Sequence, residues 1–226
     1  MSHMHIPDGV LPVWLVAAGW IAAALILAFC IKKVGGTDLR RKIPLLGIIS
    51  ALMIVGMTLE IVPIAYHINL TVVAGIVLGP SLAFIAVFIV DLLISMFGHG
   101  GVTVVGLNTI IIGAEAVLGY YLFQLFREIM SNKSMFWESA LAALLSLFLS
   151  TSIMLGIVYL SHVGPERIGD AGNLLSEAGG GINFPRFVKT VFILCPLGWI
   201  LESVITGLVV KYVFRVRPDL IVQERA

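Results

Sequence analysis

Long apolar runs separated by short polar stretches dominate this sequence. The first run covers residues 10–31, close to the roughly 20 residues that a helix needs to cross a hydrocarbon core about 30 Å thick. Further runs follow at residues 43–62, 68–97, 102–126, 135–160 and 187–214. Because apolar runs of this length are typical of membrane spans, the pattern predicts an all-α integral membrane protein with a single transmembrane domain over residues 1–226.

The basic residues decide how the run 68–97 is divided. It contains a Leu78-Gly79-Pro80 break, so it is either one long helix or a short segment at 69–79 followed by a second helix. With two helices, eleven of the fourteen Lys and Arg residues fall on the cytoplasmic side, whereas one helix gives a split of eight to six. The positive-inside bias therefore predicts seven transmembrane helices, with the N-terminus outside and the C-terminus inside. Since the segment 69–79 is too short to cross alone, its neighbours must shield it.

Composition agrees with a membrane protein and excludes other classes. Apolar residues make up 59% of the chain and charged residues 12%, outside the range of soluble domains. The net charge is +1 without a basic stripe, so nucleic acid is not an expected partner. The glycine-rich stretch 163–185 is expected to form an extracellular loop. The sequence has no Walker A, GxSxG or HExxH motif, so an enzyme is not predicted and uphill transport would need separate ATPase subunits.

The stretch MHIPDGVLP at residues 4–12 is predicted to be an extracellular metal-binding segment. A chain beginning Met4-His5 offers its α-amino group, the His5 amide nitrogen and the His5 imidazole Nδ1 to one metal ion in adjacent chelate rings. His67, which the topology places at the same membrane face, would complete a square of nitrogens. That geometry suits Ni²⁺ or Cu²⁺ and not the tetrahedral Zn²⁺. His99, between glycines on the same face, is a weaker candidate ligand.

The three residues before Met4 offer a second chelator. Ser2 and His3 directly before a Met-His start resemble a remnant of an expression vector, so the native chain is expected to begin at Met4. As written, the sequence has histidine in third place, and an amino terminus of this kind is itself a strong square-planar chelator. Met1, Ser2 and His3 are therefore the alternative N-terminal ligands.

Two polar residues are candidates for supporting the ligands without touching the metal. Asp8 could orient an imidazole, although a plain turn-forming aspartate is the simpler interpretation of Pro7-Asp8-Gly9. Asn108 could hydrogen-bond loop backbone near the site, although ordinary packing is the simpler interpretation of its position.

Other intramembrane residues have less specific patterns. Gly47 and Ala51, four residues apart on one predicted span, form a small-residue face that we interpret as a candidate partner interface. Asp91, Glu115 and Glu202 lie within apolar runs, where an ionisable group is costly and often functional. A cation or proton path and pairing with polar groups inside the bundle both remain open for these three.

Three stretches of the chain carry a family resemblance: MHIPDGVLP at the start, HINLTVVAGIVLGP beginning at His67, and FGHGGVTVVGLN before the next span. They resemble the CbiM/NikM family, the substrate-binding (S) components of energy-coupling-factor transporters for cobalt and nickel. The resemblance runs from Met4 to about Tyr120 and rests beyond that on hydropathy and length.

This resemblance implies seven helices, with six core helices of the S-component type and an extra first helix. It implies an outward-facing site built from Met4, His5 and His67, with Ni²⁺ or Co²⁺ as bound substrate and no organic cofactor. The implied partners are a transmembrane coupling protein, ATP-binding ATPase subunits and a small accessory membrane protein. Gly47 and Ala51 would help to contact the coupling protein, in the cytoplasmic membrane of a prokaryote.

Two alternatives from other functional classes remain open. One is a haem- or metal-ligating redox subunit that uses His67, His99 or His162, but these histidines lie at predicted helix ends and not at membrane depth. The other is a stand-alone proton-coupled cation carrier that uses the three intramembrane carboxylates. The sequence offers that carrier no inverted repeat.

Overall fold

The computed structural model describes residues 5–34, 36–58, 67–130, 134–163 and 184–221, without the side chains of 36–41 and 162–163. Every regular element in these ranges is helical, as predicted. Seven α-helices precede a short 3-10 helix at Pro218–Leu220: α1 Val13–Lys33, α2 Gly36–Thr58, α3 Thr71–Leu78, α4 Pro80–Met96, α5 Val105–Ile129, α6 Met135–Val163 and α7 Phe184–Val216. The candidate ligands at residues 1–4 and residues 164–183 of the expected loop lie outside the described ranges.

The predicted division of the run 68–97 into two helices is confirmed. Helix α3 ends at Leu78 and α4 begins at Pro80, with Gly79 between them at a φ of 80°, where a side chain would be strained. Pro80 suits a first helical position, because its missing N–H would have no intrahelical partner there. All eight residues of α3 are buried, and the helix packs against α2, α4, α5 and α7. Neighbouring helices therefore shield this short element, as its length requires.

Helix α2 begins earlier than the sequence predicted. The second apolar run starts at residue 43 in the sequence, whereas the structure is helical from Gly36. Arginine and lysine are good helix formers, so a run of them does not end a helix. The basic residues of this region therefore belong to α2 and not to a loop.

Four helices are long and apolar enough to cross a membrane, namely α1, α5, α6 and α7. Two shorter apolar helical stretches, Lys42–Thr58 and Pro80–Met96, accompany them. Large apolar side chains remain exposed on α1, including Ile21, Leu25 and Phe29, which is expected of a surface that faces lipid. These features are those of a multi-pass membrane protein.

Helix α1 lies on the flank of the other helices and packs against α4 and α5. Its approach to α5 is close, since a Cβ at Gly106 would lie 2.8 Å from the Cα of Trp20. The Trp20 indole also donates a hydrogen bond to the Thr103 carbonyl at 2.7 Å. This packing brings the chain before α1 to the start of α5, where an apolar cluster contains Ile6, Leu11, Leu15, Val104 and Leu107.

Candidate metal-binding site

The N-terminal segment, residues 5–12, is folded back onto the loop between α4 and α5. The Ile6 N–H donates to Asn108 Oδ1 at 3.0 Å, and Asn108 Nδ2 donates to the Ile6 carbonyl at 3.2 Å. The Gly101 N–H donates to the same carbonyl at 3.2 Å. Because the Asn108 amide pairs with both backbone groups of Ile6, it holds this residue as a neighbouring strand would. Asn108 thus hydrogen-bonds the backbone of the residue after His5.

Asp8 makes a second attachment between the N-terminal segment and this loop. One carboxylate oxygen accepts the Val102 N–H at 3.0 Å, and the other accepts the Thr103 N–H at 2.9 Å and the Thr103 hydroxyl. The Thr103 hydroxyl has the largest effect and lowers the pKa of Asp8; desolvation raises the pKa to a lesser degree, and the backbone N–H groups lower it further. Asp8 and Gly9 form a turn, with Gly9 at a φ of 80°. Asp8 therefore serves the loop backbone, and a different carboxylate lies next to the His5 ring.

His5 lies between the loop and the last turns of α4. Its Nε2 is 3.5 Å from Asp91 Oδ1, and the side chains are 10% and 1% exposed. A Cβ at Gly100 would lie 3.1 Å from the His5 Cβ, and Gly100 has a φ of 79°. Both the space and the backbone conformation therefore favour glycine at position 100.

His67 contacts the same loop through His99. The rings of His67 and His99 contact each other edge to face, with centroids 5.0 Å apart. The backbone after His67 is fixed to α2, because the Ile68 N–H donates to the Gly56 carbonyl at 3.2 Å. His99 follows α4 and precedes Gly100, so one short loop contacts both His5 and His67.

The chain just after His67 is held by a buried polar network. Asn69 Nδ2 donates to Glu115 Oε1 at 2.9 Å, and Ser150 donates to Glu115 Oε2 at 3.0 Å. Glu202, on α7, is also buried and lies near enough to Glu115 to interact electrostatically. The network links α5, α6 and the chain before α3. The Glu115 carboxylate accepts hydrogen bonds from polar side chains that are buried inside the bundle.

The structure thus gathers five of the residues singled out from the sequence where α4 ends and α5 begins: His5, Asp8, His67, His99 and Asn108. Gly47 and Ala51 instead lie on an exposed part of α2. Among the described residues, no group of three or more His, Cys, Asp or Glu side chains lies close enough to hold a metal ion.

Asp91 was identified in the sequence only as a costly intramembrane carboxylate, without a partner. Its place beside His5 depends on how the chain folds back, and no local pattern predicts that contact. Gly100 and Gly101 could have been identified from the sequence, since glycines next to a histidine indicate a close approach of the backbone to another group. Their role against His5 and Asp8 becomes visible only in the structure.

Comparison with known proteins gives a consistent picture. The family model for CbiM, the cobalt uptake substrate-specific transmembrane region, matches residues 5–220. A putative metal transport protein of Haloquadratum walsbyi is 31% identical over 224 residues, covering 96% of this chain and 93% of that protein. The cobalt transport protein CbiM of Geobacter sulfurreducens is 27% identical over 232 residues, covering 96% of this chain and 61% of that protein. A solved structure of a truncated transition metal transporter aligns with a TM-score of 0.77 at 23% identity, covering 94% of this chain and 99% of that chain.

The structural likeness, at this identity, supports the fold alone. The family match is more informative because it includes the N-terminal segment from His5, both other histidines of the loop region and the last helix. A substrate-specific transmembrane region is a component of a transporter, which is inconsistent with the redox-subunit alternative. The chain therefore belongs to the CbiM family and is a membrane component of a metal transporter, not an enzyme.

Proposed function

We propose that this protein captures Ni²⁺ or Co²⁺ at the outer face of a prokaryotic cell membrane, as the substrate-binding subunit of an energy-coupling-factor importer. The ion would be bound as substrate by the Met4 amine, the His5 amide nitrogen, the His5 imidazole and the His67 imidazole. The observation that carries the proposal is the docking of the N-terminal segment, since His5 lies against Gly100 while the His67 ring packs on the neighbouring His99.

The docked segment would reduce the cost of ordering the ligands. A free chain terminus loses conformational entropy when it wraps around an ion. Here Ile6 is hydrogen-bonded through both its N–H and its carbonyl, and Asp8 is fixed to the loop. Because the residue directly after His5 is already held, binding would order little more than Met4 and His5.

Ligand chemistry supports a late first-row divalent ion. Adjacent chelate rings through an amine, an amide and an imidazole enforce a plane of nitrogens, which suits Ni²⁺ and disfavours Zn²⁺ and Mn²⁺. Affinity for a nitrogen site rises from Co²⁺ to Ni²⁺, so the same ligands would bind cobalt more weakly than nickel. These nitrogens must be deprotonated to bind, so affinity is expected to fall between about pH 7 and pH 5.

Transport would depend on partners that supply energy. The sequence contains no nucleotide-binding motif, so ATPase subunits would act through a transmembrane coupling protein, with a small accessory membrane protein completing the importer. Gly47 and Ala51 are exposed on α2, and a Cβ at Gly47 would meet nothing within 4 Å. This open small-residue face supports a proposed contact with a helix of the coupling protein.

A Ni²⁺ titration of detergent-purified protein whose chain begins at Met4 tests this proposal. It is compared with the sequence as given and with His67→Ala and His99→Ala variants of the Met4 form. We expect one tightly bound ion with a square-planar absorption band. Because His67 is a proposed ligand and His99 a ring neighbour, His67→Ala should weaken binding by about a hundredfold or more, beyond the usual effect of a supporting residue, and His99→Ala should weaken it much less.

Two outcomes would contradict the proposal. The first is a Met4 form that does not bind Ni²⁺ while the longer chain binds regardless of His67, because the metal would then belong to Met1, Ser2 and His3. The second is an affinity that does not change between pH 7 and pH 5, since nitrogen ligands compete with protons in that range.

A further inference from the structure

A buried carboxylate faces the imidazole of His5. Asp91 Oδ1 lies 3.5 Å from His5 Nε2, and the Asp91 side chain is 1% exposed. Within the described ranges, the other ion pair within 4.0 Å joins Arg217 to Asp219, so no described lysine or arginine pairs with Asp91. Thr109 of α5 is a further polar neighbour, and Glu115 of the same helix lies near enough to Asp91 to interact electrostatically. A carboxylate at such a place in a membrane helix is costly and calls for an interaction that offsets the cost.

The geometry of a histidine chelate explains why this carboxylate is on the Nε2 side. A histidine that binds a metal through its own amide nitrogen closes a six-membered ring with Nδ1, whereas Nε2 lies too far away to close a ring. The Nε2–H must then point away from the ion. Metal-bound imidazoles almost always donate this second N–H to a carboxylate, a carbonyl or water. Asp91 is placed where that acceptor would be.

We propose that Asp91 is a positioning residue that accepts the Nε2–H of His5 and thereby holds Nδ1 toward the substrate ion. The inference rests on the proposed function, because it assumes that His5 is a ligand. A shift of a few tenths of an ångström from 3.5 Å would give an ordinary hydrogen bond between these atoms. The carboxylate fixes the ring before the ion arrives and raises the basicity of the ligating nitrogen.

Asp91 also supplies charge to the site. A divalent ion bound to one deprotonated amide retains a single positive charge, and a buried unpaired charge is strongly unfavourable. The Asp91 carboxylate, one imidazole away, neutralises it. Asp91 thus makes two contributions, a hydrogen-bond acceptor and a negative charge, and variants can separate them. Asparagine keeps an acceptor for the Nε2–H and loses the charge, whereas leucine loses both.

The experiment measures Ni²⁺ affinity of the Met4-starting chain and of its Asp91→Asn, Asp91→Leu and Glu138→Gln variants. Glu138 is the matched control, being a fully buried carboxylate on α6 that contacts the backbone of Ser134. We expect Asp91→Asn to weaken binding by about 10-fold and Asp91→Leu by about 100-fold, the range seen for supporting residues at metal sites. Glu138→Gln should leave affinity unchanged.

A second readout separates positioning from general stability. In metal-free protein with ¹⁵N-labelled histidine, the His5 signal, assigned by its loss in His5→Ala, should report the Nε2–H tautomer in the parent chain and in Asp91→Asn. In Asp91→Leu it should report a mixture of tautomers. If Asp91→Leu does not fold, the charge effect is still decided by Asp91→Asn.

The outcomes of this experiment distinguish the inference from the proposed function. If the parent chain does not bind Ni²⁺, the proposed function fails. If the parent chain binds and both Asp91 variants bind equally well, the positioning role is wrong while the proposed function stands. Equal losses in Glu138→Gln and Asp91→Asn, or an Nε2–H tautomer that persists in Asp91→Leu, would also overturn the role assigned to Asp91.

Discussion

Asp8 is the ionisable residue among those that attach the N-terminal segment to the loop between α4 and α5. Its carboxylate accepts hydrogen bonds from Val102 and Thr103, and these lower its pKa below the ordinary value of 3.8. A carboxylate with a lowered pKa in the folded state stabilises that state above its ordinary pKa. This contribution is lost only as the pH falls through the lowered value. Asp8 therefore remains ionised at pH 5, where an unperturbed histidine is already protonated.

We predict that Asp8→Asn weakens Ni²⁺ binding several-fold at pH 7, 6 and 5 alike, because it loosens the docked segment without contributing a titrating group in this range. The measurement is a calorimetric titration of the Met4-starting chain at each pH. Asp219→Asn is the control, since Asp219 is another exposed aspartate with a lowered pKa, in this case because of its hydrogen bond with Arg217. A flatter pH dependence in Asp8→Asn than in the parent chain would contradict the prediction.

What the sequence could predict about single residues depended on whether the chemistry was local. The chelating potential of Met4-His5 and the turn at Asp8-Gly9 follow from adjacent residues, and the turn is present in the structure. The placement of His67 at the same face followed from the distribution of lysines and arginines. The contact between His5 and Asp91 joins residues far apart in sequence, so it required the folded chain.

Helix α3 is held between its neighbours by close backbone contacts. A Cβ at Gly75 would overlap the carbonyl oxygen of Ala116 on α5, and a Cβ at Gly119 would lie 2.8 Å from Val72 Cγ1. Contacts of this kind need glycine because any side chain would separate the two backbones. Together with the hydrogen bond between Asn69 and Glu115, these contacts fix the position of α3 along α5, close to His67.

We predict that Gly75→Ala destabilises the protein by about 1–3 kcal/mol, the usual cost of overpacking a well-packed site. The measurement is thermal unfolding in detergent. Gly156→Ala is the matched control, because Gly156 lies in α6 and a Cβ there would meet nothing within 4 Å. Since alanine favours a helix over glycine by up to about 1 kcal/mol, the control should be neutral or slightly stabilising. Equal effects of the two substitutions would show that the contact with Ala116 does not constrain α3.

Hydropathy and helix-breaking residues predicted the elements better than their boundaries. The break at Gly79 and Pro80 was visible because both residues disfavour a continuous helix. The start of α2 at Gly36 was not visible in the sequence, because two glycines followed by charged residues resemble a loop. The complete burial of α3 could be inferred because so short a helix needs shielding. The contact between Gly75 and Ala116 that allows this burial could not be inferred.

The whole molecule raises the question of how α3 and the residues before it cross the membrane. At 1.5 Å per residue, eight residues span only about 12 Å of a core about 30 Å thick. Glu115 lies ten residues into α5, or about 15 Å along that helix. Because Asn69 bonds to Glu115, α3 begins near the middle of the bundle, and residues 67–70 precede it without forming a helix. Such backbone is tolerated at membrane depth when protein surrounds it.

We predict that residues 67–78 form a complete crossing, which gives an odd number of crossings and places the chain termini on opposite sides of the membrane. In a Cys30→Ala, Cys195→Ala background, Val10→Cys should react with a membrane-impermeant thiol reagent in intact cells. Asp219→Cys should react only after the cells are permeabilised. Both positions are exposed, so permeabilised cells provide the control for reactivity. Labelling of both thiols from outside would mean that α3 enters and leaves by the same face, and the proposed outward orientation of His5 and His67 would then lose its support from the positive-inside bias.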